Sequence, residues 1–442
     1  MTTKPVIAEK EMRVATYTDI IGPSNRVLGT IEDGGTLIVG SVPGCWGPMI
    51  TPRMKSGHEV SLPVNVAGAE VGDGLALHIK KIEVQAKATA SGTDNAGSIG
   101  CFVGDPYVAR KCPECGAESP VTYIDGIGFE SVKCKECDAP AIPFRITTGY
   151  TMAFDDAATV GYTVGQKWAE RMARESLKYS ALERYPEAVS HSILVTAVAD
   201  MPGILARVRP MIGNFGTIPS KDLPSSHNAG DFGYFLVGAP HEYAFTQEEL
   251  DAAKTDGHMD IDSAREGAIV ICPVKVAGGG IYCGDTHAMQ GDGELATHTT
   301  DIVAEVTLQA EVVKGLGNDG PILLPPQEDL PFLAQPYTQD EIMKGRELAK
   351  QFDTPFVEEV APIQVVGTGP NINDATLNGL ERTAELLDET LEETKNRATV
   401  TGCVEIGRLP GVVTISVLAP YQKLEEKGIA HLVARQYDLA FL

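Results

Sequence analysis

The sequence predicts an α+β protein that is mainly β, with two β lobes of sandwich or barrel type, a zinc-ribbon insert and a C-terminal α/β lobe. Three observations lead there. Apolar residues alternate with polar ones in Leu75, Leu77 and Ile79, and again in Ile302, Ala304, Val306, Leu308, Ala310 and Val312, which is the period of a half-buried strand. Cys112, Cys115, Cys134 and Cys137 are spaced as a pair of two-residue knuckles. Long helical patterns are few, while 46 glycines and 28 prolines punctuate the 442 residues. The segmentation expected is an N-terminal β lobe over 1–105, the ribbon over 106–145, a central β lobe over 146–335 and the α/β lobe over 336–442.

In chain order, residues 12–100 read as strands broken by turns. Gly34 to Gly47 is glycine-rich and carries Trp46, suited to lining a pocket or covering a core. The apolar set Leu75, Leu77, Ile79 slips by one against Ile82, Val84, Ala86. A one-residue slip reverses the faces, so a β-bulge is expected near Lys80–Lys81. Pro63-Val64-Asn65-Val66-Ala67-Gly68 before Gly72-Asp73 is echoed by Pro273-Val274-Lys275-Val276-Ala277-Gly278 before Gly284-Asp285, as two related lobes would give. Asp73 then orders its own turn, and His78 packs among leucines.

The four cysteines at C-x2-C-x18-C-x2-C spacing read as a closed tetrahedral zinc site of ribbon type. Its knuckles carry Glu114 and Glu136, which favours a structural or oligomer-contact insert over a reader of nucleic acid. A helical pattern over Thr163–Tyr185 places Trp168, Met172, Ala173 and Leu177 on one face, and Pro186 stops it. Ile193–Val198 reads as a buried strand. Residues 210–233, rich in Pro, Gly, Ser and Asn and including His227, read as a binding loop or a surface connection.

Thr246-Gln247-Glu248-Glu249 is a capping box. His258, Asp260 and Asp262 alternate and share one side of an extended segment. Gly267–Val276 is an apolar strand, and Pro321–Pro336 a linker. Thr338 opens a helix to about Phe352. Asn371–Asn396 reads as one long helix with an apolar stripe of Leu377, Leu380, Ala384, Leu387 and Leu391. Strands from Cys403 and Val412 close the chain.

A net charge of −24 disfavours nucleic-acid backbones and anionic membranes. No apolar run approaches the ~20 residues of a membrane span, and Met1–Lys10 lacks the apolar core of a signal peptide. A cytoplasmic protein, plausibly a homo-oligomer, is expected. Cys45, Cys101, Cys272, Cys283 and Cys403 have no framework spacing and read mainly as buried thiols, with Cys283 also a candidate ligand or nucleophile. No nucleotide-binding glycine motif is present.

Chemistry concentrates in Gly284-Asp285-Thr286-His287-Ala288-Met289-Gln290-Gly291-Asp292-Gly293-Glu294. Three carboxylates, an imidazole and an amide lie within one short stretch, expected on a glycine turn between two strands. Such donors suit a divalent cation, zinc foremost. This motif resembles the signature of the acetamidase/formamidase family, whose members hydrolyse small amides to carboxylate and ammonia. Pro273–Gly278 leading into it, Arg209-Pro210-Met211-Ile212-Gly213-Asn214-Phe215-Gly216, Pro63–Asp73 and Gly369–Leu387 resemble further family segments.

The resemblance implies a metal-dependent amidase acting on a formamide- or acetamide-like substrate. Asp260, Asp285 and His287 are then metal ligands, Glu294 the general base or a fourth ligand, and Gln290 and Asp292 orienting groups. Asp256-Gly257-His258-Met259-Asp260 departs from the family's usual Gly-Gly-Asn-x-Asp, and the cysteine insert is a second departure. A hydrolase of another C–N bond, urea- or amidine-like, and a non-catalytic metal- or partner-binding protein therefore stay open.

Overall fold

The computed structural model describes residues 8–94, 111–142, 144–240, 242–357 and 359–442, so Cys101 lies outside the described residues. Strand accounts for 32% and helix for 25%, in several sheets of which none closes among the described residues. The largest sheet runs Glu9–Val14, Thr30–Ser41, Ala304–Val313, Gly74–Val84, Ile269–Pro273, Ile322–Leu324, Val360–Thr368, Val412–Pro420, Cys403–Arg408, with Asn65–Val66 added beside Thr30–Ser41. Strands from early, middle and late sequence thus share one hydrogen-bonded layer.

A four-stranded sheet of Met211–Thr217, Ile281–His287, Val60–Ser61 and Tyr17–Thr18 packs on it. Leu37, Leu77, Val306 and Leu308 of the large sheet share one core with Ile212, Phe215, Ile281 and Cys283 of the small one. Cys283 is therefore a core thiol. The expected bulge falls at Lys80, because Thr307 pairs with Lys81 while Leu308 pairs with Ile79. The two echoing segments lie against each other, with Ile281 N–H bonded to Val64 at 2.7 Å and Gly278 N–H to Ala69 at 2.9 Å. Asp73 orders its turn by accepting from Glu70 N and Gly315 N, each at 2.8 Å.

Several expectations are corrected. Ile193–Thr196 is a buried 3-10 turn ended by a left-handed Ala197, not a strand; a short apolar run does not reveal its own period. Residues 210–233 are no surface loop. Met211–Thr217 is a wholly buried strand, and its Gly213 and Asn214 meet groups of the site described below. The helical stretch after Thr163 breaks into Gln166–Arg174 and Ser176–Tyr179. Trp168 lies outside with Arg171 stacked on its ring at 4.8 Å, and Leu177 is also exposed. Ile322–Leu324, expected in a linker, is a strand of the large sheet.

The long C-terminal helix is two, Ile372–Leu387 and Leu391–Thr401. Asp388 takes a left-handed conformation, and Thr390 with Glu393 caps the second helix, a local signal that overrides the continuous stripe. Leu377 is left exposed. The boxes at Thr246 and Thr338 cap Gln247–Ala253 and Gln339–Phe352 as expected.

The C-terminal helices are tied to the central strands by buried charge. Asp256 receives Lys254 Nζ at 3.1 Å, Arg382 Nη2 at 2.6 Å and Thr368 Oγ1 at 2.7 Å. Burial raises the Asp256 carboxyl, but Lys254 and Arg382 outweigh it and hold the group below its ordinary range. Removing one partner of such a group strands the others without solvent. Asp256→Ala is expected to cost about 3–5 kcal/mol of stability, measured by denaturant unfolding.

Candidate active site

The signature motif does not begin as a loop. Asp285 and His287 belong to the buried strand Ile281–His287, and the glycine turn follows it. The strand is irregular at Asp285, whose φ is 57°, and the ladder to Met211–Thr217 skips from Ile212↔Thr286 to Asn214↔Gly284. Asp260 (φ 46°) and Glu294 (φ 42°) are also left-handed. Non-glycine residues held there carry strain of order 1–3 kcal/mol each, and three of them converge on one place.

Gly213 makes the convergence possible. Its carbonyl accepts from Met259 N at 2.8 Å and Asp260 N at 3.1 Å. A Cβ added to it would stand 2.1 Å from Asp260 Oδ1 and 2.8 Å from Asp285 Oδ2. Gly44 plays the same part on the other side, where a Cβ would meet Asp285 Oδ1 at 2.2 Å. The carboxylates occupy the space two side chains would fill.

Around them stand three imidazoles and a third aspartate. His287 Nε2 lies 3.2 Å from Asp285 Oδ1 and 3.7 Å from Asp301 Oδ1. His258 Nε2 lies 3.0 Å from Asp260 Oδ2, and His58 Nδ1 3.1 Å from Asp285 Oδ2. Asp260 Oδ1, Asp285 Oδ2 and Asp301 Oδ1 are buried and accept no hydrogen bond.

The remaining bonds orient the rings. Gln290 donates its Nε2 to the carbonyls of Asp260 (2.5 Å) and Gly407 (3.1 Å), so its Oε1 faces His287 Nδ1 at 2.9 Å and accepts from it. His258 Nδ1 donates to the Ser226 carbonyl at 2.5 Å. Asn214, oriented by Tyr282 Oη on its oxygen and Ser225 O on its nitrogen, turns Nδ2 toward His58 Nδ1 at 3.4 Å. Each ring thus turns one nitrogen toward a carboxylate, and His287 Nε2 lies within hydrogen-bonding distance of Asp285 Oδ1. Carboxylates buried together call for positive charge beside them, whether a proton on a ring or a cation.

The electrostatics favour a proton on His287. Burial opposes charge on His287, but Asp285 overrides it and raises the imidazole well above its ordinary value. Burial raises Asp285 too, and His58 and His287 reverse this to hold it well below the carboxylate range. Asp260 is held down against burial by His258 and Arg408. Asp301, by contrast, is pushed up to about 7 by burial and Asp285, and Glu294 well above its ordinary value by burial and Asp260. Burial and Asp301 likewise raise the Cys45 thiol, which makes it a poor nucleophile. The donor set His258, Asp260 and Asp285, and likewise Asp285, His287 and Asp301, has ligand atoms within 4.8 Å of one another and could hold a metal ion.

The structure therefore brings Asp260, Asp285, His287 and Gln290 together, with Glu294 buried in the same field. It does not bring Asp292 or Asp262 there. Asp260's left-handed turn breaks the alternation that would have kept Asp262 beside it. Asp262 pairs instead with Arg209, and with Asp292, Asp329 and Glu405 it lines a neighbouring cleft of about 190 Å³. Sequence reasoning missed His58, Asp301, Cys45, Arg408 and Asp231. Arg408 is buried, clamps Asp231 through Nε (2.9 Å) and Nη2 (2.7 Å), and pairs with Asp260.

In the neighbouring cleft, burial and the charges of Asp292 and Asp262 push the Glu405 carboxyl up to about 7. The folded state holds this proton more tightly than the unfolded chain. The ionised group therefore costs stability as pH rises from the ordinary carboxylate range through about 7. Glu405→Gln can keep the 3.0 Å contact with Gln364 Nε2. It is expected to raise the melting temperature at pH 8 and leave it unchanged at pH 4, compared by thermal unfolding.

Residues 47–421 match the Acetamidase/Formamidase family. A candidate formamidase of Schizosaccharomyces pombe is 26% identical over 212 residues, 38% of this chain and 50% of that protein, so the chain spans about half the length of this relative. A predicted acetamidase/formamidase of the thermophile Thermoanaerobacter tengcongensis superposes with a TM-score of 0.53 at 17% identity, covering 96% of this chain and 99% of that one. An acetamidase of Bacillus halodurans gives 0.50 at 16%, covering 95% and 99%, and one of Yersinia enterocolitica 0.51 at 14%, covering 95% and 94%. These structures share the fold, and the family match extends over most of the sequence: the chain belongs to the acetamidase/formamidase family.

Proposed function

We propose that this chain hydrolyses a small carboxamide, formamide- or acetamide-like, to carboxylate and ammonia, with a divalent cation in the His/Asp centre. Family membership supports the reaction class, and the single observation that carries the metal is the convergence of His58, His258 and His287 on Asp260, Asp285 and Asp301, among which Asp260 Oδ1, Asp285 Oδ2 and Asp301 Oδ1 are buried and accept no hydrogen bond. Asp260, Asp285 and His287 would hold the ion, joined by His258, His58 and Asp301, and nitrogen and oxygen donors together suit zinc. A cation bound there supplies Lewis acidity toward an amide carbonyl.

The chain's own residues do the rest. Gln290 fixes His287 through Nδ1 and so keeps Nε2 directed inward. Arg408 anchors Asp260 while Asp231 neutralises the guanidinium. Glu294, whose carboxyl holds a proton readily, would take one from the attacking water and return it to the leaving nitrogen. Asp292, across in the neighbouring cleft, would act on substrate approach rather than on the reacting atoms.

The four ribbon thiols would hold a separate zinc. Cys112 and Cys137 Sγ lie 3.8 Å apart, Cys115 and Cys134 Sγ 3.9 Å, and all four fall within 4.8 Å. Four cysteines that ligate zinc rather than pair as disulfides suit a reducing, cytoplasmic setting. We also infer a homo-oligomer: Gln339–Phe352 buries only Ile342 and leaves Met343, Leu348 and Phe352 exposed.

Replacing a ligand and replacing the base should fail differently. Asp285→Ala is expected to lose amide turnover together with the centre's metal. Glu294→Gln should keep that metal and lower turnover by roughly 10²–10⁴-fold. Ammonia release from amides, ureas and amidines, beside metal analysis, tests both; wild-type rates in both variants in metal-depleted buffer would refute the reading. Cys115→Ser should remove about one equivalent of zinc and expose residues 111–142 to protease. Unchanged zinc and protease resistance would refute the ribbon site.

A further inference from the structure

We propose that the ribbon is a positioning element for the centre, acting on its His58 and Cys45 side through the segment Val189–His191. This rests on the reading of the His/Asp cluster as a metal centre. The ribbon packs Cys112, Val132, Cys134 and Ala141 into the same core as Trp46, Met49, Ile50, Ile193 and Val195. Gly128 N–H bonds the Val195 carbonyl at 2.6 Å. At its edge Thr122 Oγ1 meets His191 Nε2 at 2.8 Å. Burial pushes His191 down to about 4, so the ring is neutral and this contact is an ordinary hydrogen bond.

From His191 two arms lead inward. His191 N–H donates to Thr51 Oγ1 at 2.9 Å, and Thr51 Oγ1 donates to the Trp46 carbonyl at 3.1 Å. That closes the short helix Trp46–Ile50 onto its own start, where Cys45 N–H holds Asp301 Oδ2 at 2.8 Å. The second arm is Glu59. Its two carboxylate oxygens accept from Val189 N at 2.7 Å and Ser190 N at 3.0 Å. Glu59 is only 2% exposed, and its carboxyl is held by these backbone donors together with the Ser190 side chain. A buried acid used as a two-pronged backbone clamp is costly unless it fixes something. What it fixes is the chain at His58, one residue away, whose ring faces Asp285.

A ribbon serving only to staple the fold needs no such relay; core packing would suffice. The relay predicts that loosening the ribbon's grip on His191 disturbs the centre while the thiol site stays intact. Thr122, His191 and Glu59 are then positioning residues, none touching the reacting atoms.

The test uses full-length protein with cobalt(II) in place of zinc, because tetrathiolate cobalt and nitrogen/oxygen-ligated cobalt absorb differently. Thr122→Val removes one hydroxyl and keeps the shape. We expect its thiolate-to-cobalt bands unchanged, the bands of the His/Asp centre shifted, kcat lowered roughly 10-fold as for a small misplacement of reacting groups, and KM unchanged. Thr122→Ser, which restores the hydroxyl, should restore both spectrum and kcat. If Thr122→Val does not fold, Glu59→Gln, which replaces one acceptor oxygen by a donor, is read in the same way. Wild-type kcat and an unshifted centre spectrum in the folded variant overturn the inference. A wild-type protein that takes cobalt into the thiols alone and releases no ammonia overturns the proposed function, and the relay with it.

Discussion

The constraint on which this molecule depends is the repulsion among carboxylates that share one dry centre. Asp260, Asp285, Asp301 and Glu294 are all buried and feel one another. At 4 Å, with an effective dielectric constant near 20, two like charges cost about 4 kcal/mol. The surrounding structure answers that cost. Arg408 supplies a fixed positive charge, His58 and His287 supply adjustable ones, and Asp231 keeps the arginine from over-compensating. The acids divide accordingly. Asp260 and Asp285, nearest the positive groups, stay ionised, while Asp301 and Glu294 bind protons readily. One acid centre thus contains both ligand-like and proton-carrying groups, as acid–base chemistry near neutral pH requires.

How far the sequence disclosed this depends on the kind of signal. Asp285 and His287 were legible because they stand in a compact polar motif, and Asp260 because the family resemblance places a carboxylate at its position. Alternation misled at Asp262, since one left-handed residue reverses a strand's faces and φ is not written in residue spacing. His58 and Asp301 were illegible because each is a lone polar residue whose neighbours carry no periodic pattern; only tertiary pairing gives them meaning. Gly213 was visible within a family-like segment, yet nothing local says that its missing side chain makes room for two carboxylates.

The fold shows the same division. Bulge and helix caps were readable because they are local chemistry, as at Lys80, Thr246 and Thr338. The polar, glycine-rich stretch at 211–217 read as part of a binding loop or a surface connection and proved to be a deeply buried strand, because a buried site has the composition of a loop. The echoing segments Pro63–Gly68 and Pro273–Gly278 found each other as hydrogen-bonded neighbours, so the repetition in sequence became contact in space.

Arg408 lies close to the end of the chain and Gly44 close to its start, and the centre needs both. Contacts that distant in sequence form late, since the intervening chain must be ordered before they are rewarded. During synthesis the acidic residues emerge long before the arginine that balances them. The half-built centre is therefore an excess of negative charge without a rigid cage, and it is balanced only when the last strands join the sheet.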